Sequence, residues 1–381
     1  MNADISLNAV TASPEENRES PRLIAVDIAK GILILAVVFS HAWFANADIL
    51  GDVFPYAMSA FFFLSGYTYR PGRKYLRNIG KRAVHLLLPY IFFGVACNLL
   101  YPVYLCLSHT MPVAGTETAL WTASLKADAL NMLMGTPMWF LAAMFTASIL
   151  FFAVVDKTRE SLPKTAAASA LLIAVAIVID IVKKENIPWY ADYAPFAVAI
   201  MLIGAYCGGR KLFLKLNLKN IAVAVVCFAV CAVFNSFFPG SGKTSVVQYI
   251  EGGQWYGVLT AFVIAVTGSI GILYAAGIVG LIPGVRRVFV WLGKNSIWIL
   301  CIHYVVIMLI ELKLFNMKVL SNSIMQVVAV SIYGFGSVKD NLQDIIVKSV
   351  VAVLSIGVSG VYAVIHNLVK NNIKKLKSKR K

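Results

Sequence analysis

The chain has 381 residues, 59% of them hydrophobic and only 14% charged, with 34 lysines and arginines against 18 acidic residues and a formal net charge of +16. Its mean hydropathy is +0.77, and apolar runs of about 20 residues, the length that spans a bilayer, recur through most of it. That leaves no room for a soluble catalytic domain. The absence of interleaved aromatic and basic surface excludes nucleic acid as a partner.

In chain order, the start MNADISLNAVTASPEENRES is polar and acidic, with neither a basic n-region nor a cleavage site. Residues 1–21 are expected to form a short cytoplasmic tail. Spans are then expected at 23–43, 53–69, 83–105, 138–155, 165–182, 194–208, 220–238, 257–281, 295–315 and 346–368. Ten spans put both termini on one side. Of the 34 basic residues, 25 fall in segments on the N-terminal side, six in the opposite loops and three within spans. The positive-inside bias makes that side cytoplasmic. The expected fold is all-α: a polytopic inner-membrane protein of about ten transmembrane helices, N-in and C-in, with its membrane domain over 22–369. The basic tail 370–381 should lie against anionic membrane lipids. No internal repeat is visible, which disfavours transporter folds built from repeated halves. Cys97, Cys106, Cys207, Cys227, Cys231 and Cys301 mostly fall in apolar segments without C-x-x-C spacing. They read as small buried apolar residues, and no metal site is expected.

The first span carries the most informative residues. Lys30 and His41 are eleven residues apart, about three turns, so they share a face separated by about 16 Å of rise. Asp27 lies one turn below Lys30 and can neutralise it at i, i+3. A lipid-facing stripe should not carry all three, and ionisable groups inside a membrane point to function. Lys30 is expected about 10 Å in from the inner face, and His41 about 27 Å up, near the outer face. His41 then remains as the group that titrates near neutrality.

The second span ends in Phe61-Phe62-Phe63-Leu64-Ser65-Gly66-Tyr67, where Ser and Gly permit close helix approach. A basic loop is expected next: Arg70, Arg73, Lys74, Arg77, Lys81 and Arg82 exceed what orientation requires, and suit an anionic phosphorylated ligand. No Walker or dinucleotide glycine pattern exists anywhere in the chain. Trp139 opens the fourth span, at an interfacial belt position. In the ninth, Ser296 and His303 are seven apart and share a face, with His303 expected near mid-membrane.

These motifs, in this order, resemble the integral-membrane acyltransferase family 3, most closely its fucose 4-O-acetylase-like branch, over about residues 22–305. That family carries a basic residue, ten intervening residues and a His in its first helix, matched by Lys30 and His41. It has F-x-S-G-[YF] ending the second, matched by Phe63 to Tyr67, and an Arg-rich run before Leu-Leu-x-Pro-Tyr, matched by Lys81 to Tyr90. Trp139-Phe140-Leu141 and the stretch Gly293 to His303 match its later motifs. Two positions depart: the expected Arg-x-x-Arg reads Arg82-Ala83-Val84-His85, and the tyrosine expected before the last histidine is Leu300. The resemblance implies acyl transfer from cytoplasmic acyl-CoA, usually acetyl-CoA, to a hydroxyl of a glycan or lipid-linked sugar, with no permanently bound cofactor. Under it, Arg73, Arg77, Lys81, Arg82 and His85 would hold the CoA phosphates. His41 would act as general base, with Asp27, Lys30, Ser65, Trp139, Ser296 and His303 in support. Lys30 suits ligand binding or packing better than the oxyanion, because it is far from His41. The alternative reading is a proton-coupled exporter of a sugar or lipid, using Asp27, Lys30 and His41 as a relay.

Overall fold

The helix Leu162–Val182 buries Thr165, Ser169 and Asp180 beside Ile173 and Ala176, and turns Leu171, Val175, Val178 and Val182 outward. A helix on a soluble protein does the reverse. Polar groups inside and valine and leucine outside are what a hydrocarbon solvent selects, because a polar group there needs a protein partner. Thr165 donates to the Thr158 carbonyl at 2.9 Å and Ser169 to the Ala199 carbonyl at 3.2 Å. The C-terminal helix repeats the pattern, with Ser355 and Ser359 buried and Val350, Val353, Leu354, Val358 and Val361 facing out.

The computed structural model describes residues 5–6, 24–42, 55–72, 74–96, 129–135, 138–183, 187–212, 215–216, 218–237, 255–315 and 342–379. Apart from an antiparallel bridge pairing Ile5–Ser6 with Lys215–Leu216, the long elements are helices. They are α1 (Ile24–Ala42), α2 (Ala57–Tyr67), α3 (Tyr75–Ala96), α4 (Trp139–Thr158), α5 (Leu162–Val182) and α6 (Ala194–Gly209). There follow α7 (Leu218–Phe237), α8 (Trp255–Val279), α9 (Pro283–Lys294), α10 (Ser296–Phe315) and α11 (Leu342–Lys379). Each expected span contains a helix over most of its described part. Among the described residues, seven helices are long and apolar enough to cross a membrane, or eight if α9 and the first part of α10, bent by 67°, form one broken span. α2 and the apolar part of α7, Ile221–Ser236, are shorter. The chain is a multi-pass membrane protein.

Two basic stretches expected as loops are helical. α3 starts at Tyr75, well before residue 83, because between the Pro71-Gly72 turn and Pro89 only Gly80 resists helix. The stretch 282–294 forms α9, with Pro283 in its first turn, where a missing N–H costs nothing. Of the expected residues, Arg73, Cys97 and Cys106 lie outside the described set, whereas Cys207, Cys227, Cys231 and Cys301 are buried.

Glycines let two helix pairs pack backbone to backbone. On α6, Gly204 lies against the Phe63 backbone and Gly208 against Tyr67, while Gly66 of α2 lies against Met201; a Cβ at any of the three would collide with a carbonyl. Gly31 of α1 and Gly293 of α9 make the same kind of joint, against Phe289 and Asp27. This is the small-residue packing that replaces hydrophobic drive between helices in lipid.

Other contacts gather helix ends at one end of the bundle. Tyr67 Oη donates to the Leu212 carbonyl at 2.5 Å, just past α6. Tyr69 Oη donates to Asp156 Oδ1 at 2.9 Å, at the end of α4. Burial and then that bond push the Tyr69 phenol up to about 12, so it remains a donor at neutral pH. Asn367 of α11 donates to Asn295 Oδ1 at 3.2 Å, ahead of α10. Each of these joins segments that loop counting puts on one side.

Lys183 Nζ meets Asp192 Oδ2 at 2.8 Å, with the Asp192 side chain only 4% exposed. Breaking a buried pair by removing one member costs about 3–5 kcal/mol. Asp192→Ala should therefore lose much of its thermal stability in detergent, with Lys183→Met,Asp192→Leu recovering most of it. Equal melting of wild type and Asp192→Ala would show that the pair is not buried in solution.

Candidate active site

His41 lies on the last turn of α1 and His303 on the second turn of α10. Each ring is oriented by a bond to the carbonyl one turn back: Nδ1 of His41 to Val37 at 2.7 Å, and Nδ1 of His303 to Ile299 at 3.0 Å. A carbonyl oxygen only accepts, so Nδ1 carries the hydrogen in both. Nε2 of each neutral ring is then the basic nitrogen. The rings face each other edge to plane, with centroids 5.0 Å apart and planes at 77°. His303 is buried, and its Nε2 has no hydrogen-bond partner among the described residues.

Counting residues from the helix starts placed His41 near one face and His303 near mid-membrane, whereas the structure puts them at one level. Asn295 marks the joint that leads into α10. Its side chain donates to the Trp291 carbonyl at 2.8 Å where the chain bends by 67°, and Gly293 just before it packs on the Asp27 backbone. Long-range packing sets this, and periodicity within α10 carries no trace of it.

The other motif residues form separate groups. Arg82 Nη2 donates to Ser65 Oγ at 2.6 Å, joining the Arg-rich run to the F-x-S-G-Y turn of α2. Immediately after Arg82 the helix widens into a π turn over Ala83–Leu87. Pro89 accounts for this: it has no N–H for the His85 carbonyl four residues back, and its ring would strike that carbonyl in a regular α-helix. The Leu-Leu-x-Pro-Tyr motif thus sets how Arg82 and His85 project. Tyr90, beside the proline, donates its hydroxyl to the Met132 carbonyl. Arg77, Lys81 and His85 are exposed.

On α1, Asp27 is buried and Lys30 half-buried, so the stripe they share with His41 faces the bundle. Ser296 is half-buried at the first position of α10. Trp139 belongs to an aromatic cluster with Tyr190 at 5.5 Å, Phe140 at 6.0 Å and Tyr193 at 6.4 Å. Tyr190 of that cluster and its neighbour Trp189 adopt left-handed backbone, with φ of 53° and 60°. Such strain, about 1–3 kcal/mol each, persists only where the surroundings enforce it. Thr146 contributes by donating to the Trp189 carbonyl at 3.2 Å. No sequence signal marks this turn, because Trp and Tyr are poor left-handed residues. Among the described residues, no three His, Cys, Asp or Glu side chains come together as a metal site.

A family model for acyltransferase family 3, described as an acyltransferase domain, matches residues 23–338. The chain belongs to acyltransferase family 3. The match runs past the motifs read from the sequence, taking in all of α10. No match is found among curated proteins or solved structures. Within a member of this family, an Arg82 pinned by Ser65 makes a specific prediction. Ser65→Ala removes a charge-assisted hydrogen bond of about 1.5–3 kcal/mol and should lower the melting temperature of purified acyltransferase in detergent. An unchanged melting temperature would show that Ser65 does not hold Arg82.

Proposed function

We propose that the protein is a membrane O-acyltransferase, moving an acyl group, acetyl in the simplest case, from cytoplasmic acyl-CoA to a hydroxyl of a cell-envelope glycan or lipid-linked sugar. The His41–His303 pair carries this reading, as two imidazoles in edge-to-face contact within an apolar bundle of an acyltransferase family member. In it, Nε2 of His41 takes the acceptor hydroxyl proton as the oxygen attacks the thioester carbonyl carbon. The tetrahedral intermediate collapses, the C–S bond breaks, and the CoA thiolate leaves with the proton from His41. Acyl donor and hydroxyl acceptor alone balance the reaction. His303 offers a second neutral imidazole where the imidazolium of His41 forms, which stabilises it and fixes its ring.

Donor binding falls to the other group. Arg82, fixed by Ser65, with Arg77 and Lys81 nearby in sequence, suits the phosphates of CoA, for which a planar guanidinium can make paired bonds. Lys30 contributes to ligand binding or helix packing.

The test is incubation of purified protein with labelled acetyl-CoA and a panel of glycans. Acceptor-dependent release of the CoA thiol, with alkali-labile label on the acceptor, is expected. Accumulation of unmodified sugar in proteoliposomes, driven by a proton gradient without acyl donor, would contradict the proposal and make the protein an exporter.

A further inference from the structure

The end of the bundle where α3 meets α11 is rich in cations. No aspartate or glutamate occurs between Arg70 and Ala96, or from Val361 to the end of the chain. Among the described residues, no carboxylate pairs with Arg77, Lys81, Arg82 or Lys370. A cluster of this kind is costly without counter-charge, and calls for an anion from outside the chain.

Aromatic contacts fix how α11 reaches this place. Phe93 of α3 packs on Tyr362 of α11 at 5.7 Å, and Trp298 of α10 touches both, at 6.4 Å and 5.7 Å. Trp298 also lies 4.2 Å from His366, and Asn367 is tied to Asn295. From the Phe93–Tyr362 contact, eight residues along either helix cover about 12 Å of rise and arrive at His85 and Lys370. Tyr362, His366 and Lys370 follow one another at four-residue spacing, each about 40° round from the last, in a slanting row along α11. On α3, eight residues of regular helix would leave His85 about 80° away from Phe93. The extra residue in the π turn reduces that to about 20°. The charges of Lys370, Arg82 and Lys81 all reach the His85 ring.

We propose that Lys370 is a donor-binding residue, completing with Arg82 and Lys81 a phosphate site for acyl-CoA at the junction of α3 and α11. This rests on the acyltransferase reading and extends it to the last helix, beyond the residues that the family match covers. Basic side chains following a membrane helix also attract anionic headgroups. Both sources offer phosphate oxygens, so the experiment must separate them.

The experiment compares wild type, Lys370→Gln and Lys370→Arg in phosphatidylcholine nanodiscs, with acetyl-CoA or S-acetylpantetheine, which lacks the nucleotide phosphates, as donor. Lys370→Gln should raise KM for acetyl-CoA about tenfold with kcat within about twofold, leave KM for S-acetylpantetheine unchanged, and be rescued by Lys370→Arg. Calorimetric titration of CoA itself should show the same tenfold weakening. An equal rise for both donors, no rise, or an effect seen only when phosphatidylglycerol is added would overturn the proposal, the last in favour of headgroups. Absence of turnover by wild type would count against the acyltransferase reading alone. CoA titration would still decide Lys370.

Discussion

His41→Ala is expected to insert and fold normally yet lose acyl transfer by about 10²–10⁴-fold, the range that a positioned general base supplies. Folding should survive because His41 lies at the last turn of α1 and its bond to the Val37 carbonyl is within its own helix. The loss should fall on kcat, since the imidazole acts on the proton in flight and not on the CoA phosphates. His41→Gln keeps a polar side chain of similar reach without the base, and should be equally impaired. Steady-state rates with labelled acetyl-CoA, beside size-exclusion profiles in detergent, check this. An active His41→Ala would remove His41 from the chemistry.

The largest expected effect on the fold is at the joint of α2 with α6. Gly66→Val places carbon where the Met201 carbonyl already lies, and Gly208→Val does so against Tyr67. Overpacking an adaptable core costs about 1–3 kcal/mol. Here the obstacle is a backbone carbonyl that no rotamer change can move, so a cost at or beyond the top of that range is expected, with the helices forced apart. Gly80→Ala is the contrast, because nothing lies within 4 Å of its Cβ position in the exposed start of α3. It should be neutral, or stabilising by about 0.5–1 kcal/mol. Thermal unfolding followed by fluorescence-detected size exclusion would rank the three variants. Native-like melting of Gly66→Val would contradict the close approach.

Much of this was legible in the sequence, for identifiable reasons. Apolar runs of spanning length fix where helices form, since in lipid every backbone group must be satisfied within its own helix. The Lys30–His41 spacing was readable because both lie on one helix, where rise and rotation are fixed. Relations between helices were harder to read. His303 was identified on its own turn, but its meeting with His41 depends on the bend at Asn295 and on Gly293 seating α9 against Asp27. Ser65 and Arg82 were both singled out, whereas their bond depends on the packing of α2 and α3. The start of α3 and the whole of α9 read as loops in the sequence because their basic charge marks cytoplasmic segments, and a helix accommodates a basic face equally well. The left-handed turn at Trp189 and Tyr190 has no glycine or asparagine to announce it.

The central claim, that His41 and His303 work as one unit in acyl transfer, is tested most directly by a double-mutant cycle. Acyl transfer from labelled acetyl-CoA is measured for wild type, His41→Ala, His303→Gln and the double variant, each shown to be folded. Groups that act together are strongly non-additive, so the double variant should be scarcely slower than His41→Ala. Multiplied losses, or full activity in His303→Gln, would contradict the account.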